Sequence, residues 1–337
     1  MTVKDYLLIL LVMLPVAALP FLGIAGATVN LLIFMMIITL AAQGWNILGG
    51  YGGLASFGHA AFFGTGAYTT AILQMSFGFN AWIGLLCGVL LGALVGYVIG
   101  FLSFRSGLKG SYFALITLAF AEVLRILANS AGFTGGAAGL VIDIDYGLAN
   151  LQFQDRRYFV IVAVVCVVLA LLLTRWFERS KFGAYLAAVR ENDQAAQALC
   201  IDVLKIRLRA ITLSAGVTAL AGVLYAQNFL FIDASIAYGA WISVKALFAA
   251  IVGGLGTVFG PLIGAVALLG LGEFTKELSG DIPGIDLVVF GGVLVLTVAF
   301  APKGLHGLVE RLIVAVRRRM SEKRGQPVAA ARVGEGR

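Results

Sequence analysis

Residues 158–176 read YFVIVAVVCVVLALLLTRW, an apolar run interrupted only near its end by Thr174 and Arg175. A helix needs about 20 predominantly apolar residues to cross the hydrocarbon core of a membrane, so this run predicts a spanning helix. The whole chain has the same character, because 61% of its 337 residues are hydrophobic and only 12% are charged. A soluble domain carries about 25% charged residues. The sequence therefore predicts an all-α integral membrane protein, a polytopic helical bundle.

Apolar runs on both sides of this segment predict about ten spanning helices. They cover residues 6–24, 28–48, 57–76, 80–102, 111–129, 158–176, 210–230, 241–253, 257–273 and 285–301. The run at 241–253 is short and the run at 57–76 is rich in glycine, so either could be broken or re-entrant. Nine or ten spans are compatible with the sequence.

The distribution of basic residues predicts the orientation, because cytoplasmic loops retain Lys and Arg. The loop at 177–209 is the most basic of the connecting loops. Its basic residues are Arg179, Lys181, Arg190, Lys205, Arg207 and Arg209. If this loop is cytoplasmic, counting spans also places both termini and the loop around Lys109 inside. The loops at 129–157 and 274–284 then lie outside and carry acidic residues. This count of spans predicts that the N-terminus and the C-terminus are both cytoplasmic, an N-in, C-in topology.

The net charge of +7 does not indicate nucleic-acid binding, because most Lys and Arg lie in a few loops and in the tail 317–337. The three cysteines and two histidines are scattered, without disulfide or metal-ligand spacing. The N-terminus resembles a signal peptide but is long enough to span, so we expect an uncleaved first helix. We expect residues 1–302 to form the transmembrane domain and residues 303–337 a basic, disordered cytoplasmic tail.

A long polar stretch interrupts the apolar runs. Residues 187–210 read AAVRENDQAAQALCIDVLKIRLRA. Small and apolar residues such as Val189, Ala195 and Leu199 recur at helical spacing, which predicts a short amphipathic helix at the cytoplasmic surface. The helix either lies on the membrane or docks in a groove of another protein. Its acidic and amide-rich polar face differs from the Lys- and Arg-rich face that anionic lipid favours.

Four polar residues inside the predicted spans are candidate functional residues. Glu122 and Arg125 share one helical face and either line a translocation path or form a structural pair that locks this span to a neighbour. His59, in a turn rich in glycine and serine, is either a pathway residue or a packed residue satisfied by the backbone. Lys245 either reaches the outer surface or faces the bundle.

The sequence argues against several other classes of protein. No G-x-x-x-x-G-K-[ST] motif occurs, so no nucleotide-phosphate site is predicted, and no cofactor is expected. The spans lack the facing catalytic groups that an intramembrane enzyme requires. An ion-coupled secondary transporter would more often carry acidic residues at mid-membrane, and this chain has almost none. Any ATP that powers the protein is expected to bind to another polypeptide.

Several stretches resemble one known family, the permease subunits of branched-chain amino-acid ABC importers of the LivM/LivH type, and LivM-type members more than LivH-type ones. The first is ERSKFGAYLAAVRENDQAAQALCIDVLKIRLRAITLSA at 178–215, which resembles the coupling segment of that family. The others are LASFGHAAFFGTGAYTTAIL at 54–73, GSYFALITLAFAEVLR at 110–125, FTGGAAGL at 133–140 and GGLGTVFGPLIGA at 253–265. The resemblance covers roughly residues 40–300.

The resemblance implies that residues 187–205 carry a coupling helix, which sits in a cleft of a cytoplasmic ATPase and transmits its closure to the spans. It implies interface positions at Glu191, Ala195 and Ala196. Beside them it places Arg190, Asn192 and Asp193. The family usually has glycine where this chain has Cys200, and cysteine tolerates a left-handed turn poorly. We therefore expect the helix to run somewhat beyond its usual end.

The resemblance also implies the partners. These are a sister permease of the LivH type, two cytoplasmic ATPase subunits that bind ATP, and an extracytoplasmic solute-binding protein, at the inner membrane of a prokaryotic cell. The implied solutes are branched-chain amino acids, with other amino acids, urea and short amides as alternatives.

Overall fold

The computed structural model describes residues 3–279, 285–300 and 304–307, and these ranges are almost entirely helical. The helices are α1 (Val3–Ala18), α2 (Gly26–Trp45), α3 (His59–Phe77), α4 (Ala81–Arg105), α5 (Gly110–Ser130), α6 (Arg156–Glu178), α7 (Lys181–Glu191), α8 (Asp193–Ala198), α9 (Val203–Phe229), α10 (Ala234–Ala237), α11 (Ala240–Gly253), α12 (Gly260–Ser279) and α13 (Ile285–Phe300). Two short strands, β1 (Leu140–Val141) and β2 (Phe231–Ile232), pair antiparallel. The predicted helical bundle is confirmed.

Six helical segments in the described ranges are long and apolar enough to cross a membrane. They are Gly26–Tyr51, Ala81–Arg105, Gly110–Ser130, Arg156–Glu178, Val203–Phe229 and Ala234–Gly253. The other predicted spans coincide with α1, α3, α12 and α13, which are helical but are not among these six. The helical membrane bundle therefore agrees with the prediction, whereas the count of about ten spans is not established by helix length and hydropathy.

Helix α9 is the central helix, because α2, α3 and α4 all pack against it. Helix α4 meets it through a row of glycines at every fourth position: Gly84, Gly88, Gly92, Gly96 and Gly100. A Cβ added to Gly92 would overlap the side chain of Ala219, and one added to Gly96 would overlap that of Ala215. Membrane helices associate by close packing, so this row sets how closely α4 approaches α9.

Helix α3 packs on α9 by even closer backbone contacts. A Cβ added to Gly66 would overlap the backbone carbonyl of Ala219, and one added to Gly222 would overlap that of Phe63. These contacts leave no room for a methyl group on either helix. The three helices α3, α4 and α9 therefore form one tightly packed unit.

The glycine-rich stretch before α3 forms a return loop inside the bundle. Helix α2 continues into a π-helical turn, Asn46–Tyr51, and the chain then folds back before α3 begins. The indole Nε1–H of Trp45 donates to the carbonyl of Ser56 at 2.8 Å, which holds the loop against the end of α2. The run at 57–76 is thus a continuous helix from His59 onward, preceded by a packed loop.

The second glycine-rich stretch forms the turn between α11 and α12 and contacts the return loop. The Asn46 side chain holds both together, because its Nδ2 donates to the carbonyl of Thr257 and its Oδ1 accepts from the amide of Gly256, each at 2.9 Å. The turn is tight enough that a Cβ on Gly253 would overlap the backbone of Gly260. Asn46 therefore links the end of α2 to the α11–α12 turn.

The short predicted run at 241–253 corresponds to α11, which the single turn α10 precedes. The chain breaks between them at Tyr238 and Gly239, and the Tyr238 ring covers Gly64 of α3. One turn into α11, the Ser243 hydroxyl accepts from the amide of Ala60 at 2.9 Å. This bond satisfies one of the free N–H groups at the start of α3.

The loops cluster at two opposite ends of the bundle. At one end, which we call the coupling end, α7 and α8 lie beside the α4–α5 loop and the end of α2, as the Lys109–Asp193 and Arg190–Gly50 contacts establish. At the other end lie the β1–β2 pair and the α3–α4 turn, where Trp82 Nε1 donates to the carbonyl of Leu148 at 2.8 Å. The basic loop around Lys109 and the basic loop at 177–209, which the charge pattern assigns to one side of the membrane, therefore lie at the same end of the bundle.

Part of the predicted tail packs on the bundle. Gly304 adopts a left-handed φ of 67° and lies against Gly253 and Gly254, and His306 lines a cavity with Arg175 and other residues. Residues 308–337 lie outside the described residues.

The packing of α3 on α9 predicts a sharp difference between two glycines of α9. We expect Gly222→Ala to destabilise the protein by about 1–3 kcal/mol, because its methyl group would force α3 away. Gly216→Ala is the matched control, because a Cβ there meets its nearest atoms at an ordinary 3.7 Å. Thermal unfolding of the purified protein in detergent measures both variants. Equal melting temperatures would contradict the packing argument.

Candidate functional site

The polar interruption folds as two helices rather than the one amphipathic helix that its periodicity predicts. Helix α7 ends at Glu191, Asn192 is extended with φ −158°, and α8 begins at Asp193. The Asn192 side chain causes the break, because its Oδ1 accepts from the amides of Gln194 at 2.9 Å and Ala195 at 3.1 Å. Asparagine is among the best helix N-caps, so the break has a local cause.

The expectation that Cys200 lengthens the helix is wrong. Helix α8 ends at Ala198, and Cys200 adopts the left-handed conformation with φ 60°. The Cys200 amide donates to the carbonyl of Gln197 at 2.9 Å, and the Ile201 amide donates to that of Ala196 at 3.1 Å. This pair of bonds is a Schellman motif, whose two hydrogen bonds offset the cost of placing a non-glycine residue there.

A partly buried ion cluster attaches α8 to two spanning helices. The Asp193 carboxylate accepts from Lys109, just before α5, at 2.7 Å and from Arg207, in the first turns of α9, at 2.6 Å. The side chains of Asp193 and Arg207 are 14% and 13% exposed. Partial burial alone raises the pKa of the Asp193 carboxyl, but the hydrogen bonds and charges of Lys109 and Arg207 outweigh it, and the pKa lies below its ordinary value.

A second attachment joins the end of α7 to the return loop. Arg190 Nη1 donates to the carbonyl of Gly50 at 3.1 Å, and its side chain packs over Gly53, which has a φ of 66°. Val189 and Ala196 are buried against the rest of the chain, each with an exposed fraction of 2%. Of the predicted site residues, Arg190, Asp193 and Ala196 therefore face their own chain.

The opposite face of the segment is open to solvent. Glu191 is 73% exposed in its side chain and pairs with Arg190 at 2.8 Å. Ala195 is exposed, and Leu199, an apolar side chain one turn further, is 74% exposed. We call Glu191, Ala195 and Leu199 the outward face. It combines a carboxylate, a small residue and an uncovered leucine, a combination that a protein groove can bind.

Glu122 and Arg125 lie on the exposed side of α5. Arg125 Nε donates to Glu122 Oε2 at 2.9 Å, and the two side chains are 33% and 51% exposed respectively. Within the described residues they form this ion pair with each other, so the structure does not link α5 to a neighbouring helix through them. The exposed stripe continues at Ala119 and Ile126, one turn on either side of Glu122.

His59 is a fully buried residue at the start of α3. Its Nε2 lies 2.9 Å from Ser214 Oγ, and the Ser214 hydroxyl donates to the carbonyl of Gly44 at 2.6 Å. Because that hydroxyl proton is already used, Nε2 carries the proton and donates to Ser214. The ring packs near Trp45 and Phe62. These contacts favour the packed reading of His59 and join α2, α3 and α9.

Lys245 packs against two aromatic rings. Its Nζ lies 4.9 Å from the centroid of Trp241 and 5.5 Å from that of Phe34 on α2. Cation–π contacts of this kind stabilise an ammonium group in a dry environment. Lys245 therefore lies between the first turn of α11 and helix α2.

The described residues contain no group of three or more metal-ligating side chains. The sequence analysis missed Lys109 and Arg207 as partners of Asp193. Neither residue lies at a helical spacing from Asp193, and many other basic residues in the chain could equally have been its partner. It also missed the row of glycines on α4, although its fourfold spacing is visible in the sequence.

Residues 27–298 match the family described as "Branched-chain amino acid transport system / permease component". The chain is 30% identical over 329 residues to the high-affinity branched-chain amino acid transport system permease protein LivM of Escherichia coli strain K12, covering 90% of this chain and 75% of that protein. It is 31% identical over 152 residues to the permease protein BraD of Pseudomonas aeruginosa, covering 45% and 48% of the two chains.

A further relative is the autoinducer 2 import system permease protein LsrC of Salmonella typhi, which is 33% identical over 108 residues, 30% of each chain. No solved structure matches the chain. The family match covers most of the chain, and the LivM alignment extends over nearly its full length. The chain therefore belongs to the permease-component family of branched-chain amino-acid transport systems and is a membrane permease subunit of an ABC importer rather than an enzyme.

Proposed function

We propose that this subunit imports branched-chain amino acids together with a sister permease of the LivH type, two cytoplasmic ATPase subunits that bind the ATP, and an extracytoplasmic solute-binding protein. The observation that carries the proposal is the exposed outward face, Glu191, Ala195 and Leu199, in a segment that a partly buried ion cluster holds to the spans. A surface loop without a partner has no need of such an attachment.

We place the coupling end in the cytoplasm of a prokaryotic cell, with the chain crossing the inner membrane about ten times and both termini inside. The segregation of the basic loops to the coupling end supports this orientation. Residues 1–302 then form the permease domain, with the coupling segment at 177–209, and the basic tail lies inside.

The coupling mechanism follows from the two attachments. A force on the outward face reaches the start of α5 through Lys109, the start of α9 through Arg207 and the end of α2 through the carbonyl of Gly50. Because α3, α4 and α9 form one packed unit, a displacement of α9 moves all three helices together. The nucleotide chemistry then stays in the ATPase subunits.

The exposed side of α5 is our candidate for the wall of the solute path, facing the sister permease. An ion pair five to eight residues from the end of a spanning helix is costly against lipid, and such groups generally face a protein or water. A weakly charged wall suits zwitterions or neutral amides, so urea and short amides remain the alternative solutes. An ion-coupled secondary transporter is the weaker alternative, because it needs no coupling segment.

The outward face predicts that Glu191→Arg and Ala195→Trp weaken coupling. We expect each substitution to lower ATP-driven leucine uptake about tenfold, within the usual range of coupling free energies, while the permeases still assemble. Uptake and ATPase activity of the full complex in proteoliposomes measure this effect. The control is Tyr185→Trp, at an exposed position of α7 that is six residues from Glu191 and therefore on a different face of the helix. Unchanged uptake in both test variants would overturn the proposed role of the segment.

The Asp193 cluster predicts a second kind of defect. In Asp193→Asn the ATPase still binds, but we expect about tenfold less uptake per ATP hydrolysed, because α8 is no longer held by charge. The control is Asp202→Asn, which keeps the N-cap of α9 and removes a carboxylate at an exposed site. If Asp193→Asn takes up as much leucine per ATP hydrolysed as the control variant, the mechanism is contradicted.

The lowered pKa of Asp193 sets the pH dependence of the same attachment. A depressed pKa means that the charged cluster adds stability above the ordinary aspartate pKa of about 3.9 and loses it as the pH falls through the lower folded value. We therefore expect wild-type coupling to show no titration from Asp193 between about pH 5 and 8. An Asp193-dependent change of coupling within that range, measured in proteoliposomes, would refute it.

The proposed path predicts that water reaches the exposed stripe of α5. In a variant without the native cysteines, we expect Ala119→Cys to react with a membrane-impermeant thiol reagent in the assembled complex, and the rate to change when ATP is added. The control Leu90→Cys lies on the exposed apolar face of α4 and should stay unlabelled in lipid. Equal labelling of both cysteines would count against a path at α5.

A further inference from the structure

A groove of about 560 Å³ opens on the side of the bundle at the coupling end. Its lining comes from four helices, with Tyr97 on α4, Trp176 on α6, Phe182 on α7 and Leu208 on α9 among the apolar residues. Helices α4 and α6 form the two walls, and α9, which packs against both, forms the floor. The groove is therefore a lateral opening beside the spanning helices, and its lining includes none of the three residues of the outward face.

Two basic residues stand in this apolar groove. Lys205 and Arg209 lie one turn apart on α9, and both line the groove and are exposed. Lys205 pairs with Asp202 at 2.9 Å in a solvent-exposed contact, whereas Arg209 forms no hydrogen bond or ion pair with the described residues. A guanidinium next to an ammonium offers the charge and the donors that a phosphate group binds.

The depth of the groove matches the polar boundary of a membrane. Lys205 and Arg209 lie within the first two turns of α9, about 3–9 Å along its axis, and Trp176 lies in the last turn of α6. Tyr97 and Trp176 are about half exposed, at 45% and 54%. Tryptophan and tyrosine concentrate at this boundary, where the ring is apolar and the polar atom is wet.

An exposed apolar track leads away from the groove toward the middle of the bundle. On α4 it continues through Leu94 and Leu90, which lie on the same helical face as Tyr97, with exposed fractions of 54% and 69%. On α6 it continues through Leu169 and Val165, on the same face as Trp176, with exposed fractions of 57% and 51%. These two apolar rows begin at the basic groove and run toward the middle of the membrane. Two acyl chains attached to a headgroup in the groove would follow the same course.

We propose that this groove binds one anionic phospholipid, with its phosphate between Lys205 and Arg209 and its acyl chains along the α4 and α6 rows. Basic pockets between spanning helices bind anionic headgroups, because charge attraction adds to the burial of the chains. On the proposed orientation of the subunit, the lipid belongs to the cytoplasmic leaflet. The bound headgroup would sit beside the start of α9, two residues from Arg207 of the Asp193 cluster, and would hold that end of α9 in place.

Native mass spectrometry of the full complex in detergent tests the proposal, with phosphatidylglycerol as the probe and phosphatidylcholine as the neutral reference. We expect Lys205→Gln/Arg209→Gln to weaken phosphatidylglycerol binding about tenfold and to leave phosphatidylcholine binding unchanged. Arg209→Gln alone should show part of this loss. The matched control is Arg105→Gln, an exposed arginine at the coupling end of α4 outside the groove, which should bind as the wild type does.

A second variant tests the site without changing its charge. Thr212→Trp fills the groove floor and should weaken phosphatidylglycerol binding while Lys205 and Arg209 remain. Wild-type lipid binding in both the double variant and Thr212→Trp would overturn the proposal. Loss of ATPase or sister-permease binding with lipid binding intact would also overturn it and would assign the groove to a protein partner. Neither result depends on whether Glu191 and Ala195 couple to an ATPase.

Discussion

The fold depends on the close approach of α9 to α3 and α4. Backbone lies against backbone at Gly66 and Gly222, and the row of glycines on α4 fits over small side chains of α9. In lipid there is no hydrophobic gain from bringing two apolar helices together, so tight packing of this kind has to supply the association energy. Helix α9 is thereby fixed inside the bundle, and the polar segment that precedes it is attached to a rigid helix.

The polar segment is joined to that support by few but strong contacts. One carboxylate, Asp193, binds cations at the beginnings of two spanning helices, and Arg190 reaches the loop that ends a third. The short helices α7 and α8 are therefore oriented by tertiary contacts as well as by their own caps. Their other face, which carries Glu191, Ala195 and Leu199, is exposed, and it is the face that we propose contacts an ATPase subunit.

The exposed surfaces of the spanning helices differ in polarity from one helix to the next. The exposed side of α4 is apolar, which suits lipid, whereas that of α5 carries the Glu122–Arg125 pair. Between α4 and α6, the groove around Arg209 joins an apolar track to basic groups at the membrane boundary. The exposed side of α4 is thus suited to lipid, whereas the exposed side of α5 carries charge.

The sequence by itself determined the helical membrane class, the family and the position of the polar segment between α6 and α9, because apolar length, basic loops and motifs are local properties of the chain. It was wrong about the end of α8, because the Schellman bonds of Cys200 override the preference of the residue. It also merged α7 and α8, although the capping asparagine was visible. Only the tertiary structure decided that Asp193 meets Lys109 and Arg207, that Lys245 lies on aromatic rings, and which side of α5 is uncovered. Those facts depend on residues far apart in the chain, whose meeting is set by helix packing rather than by any local pattern.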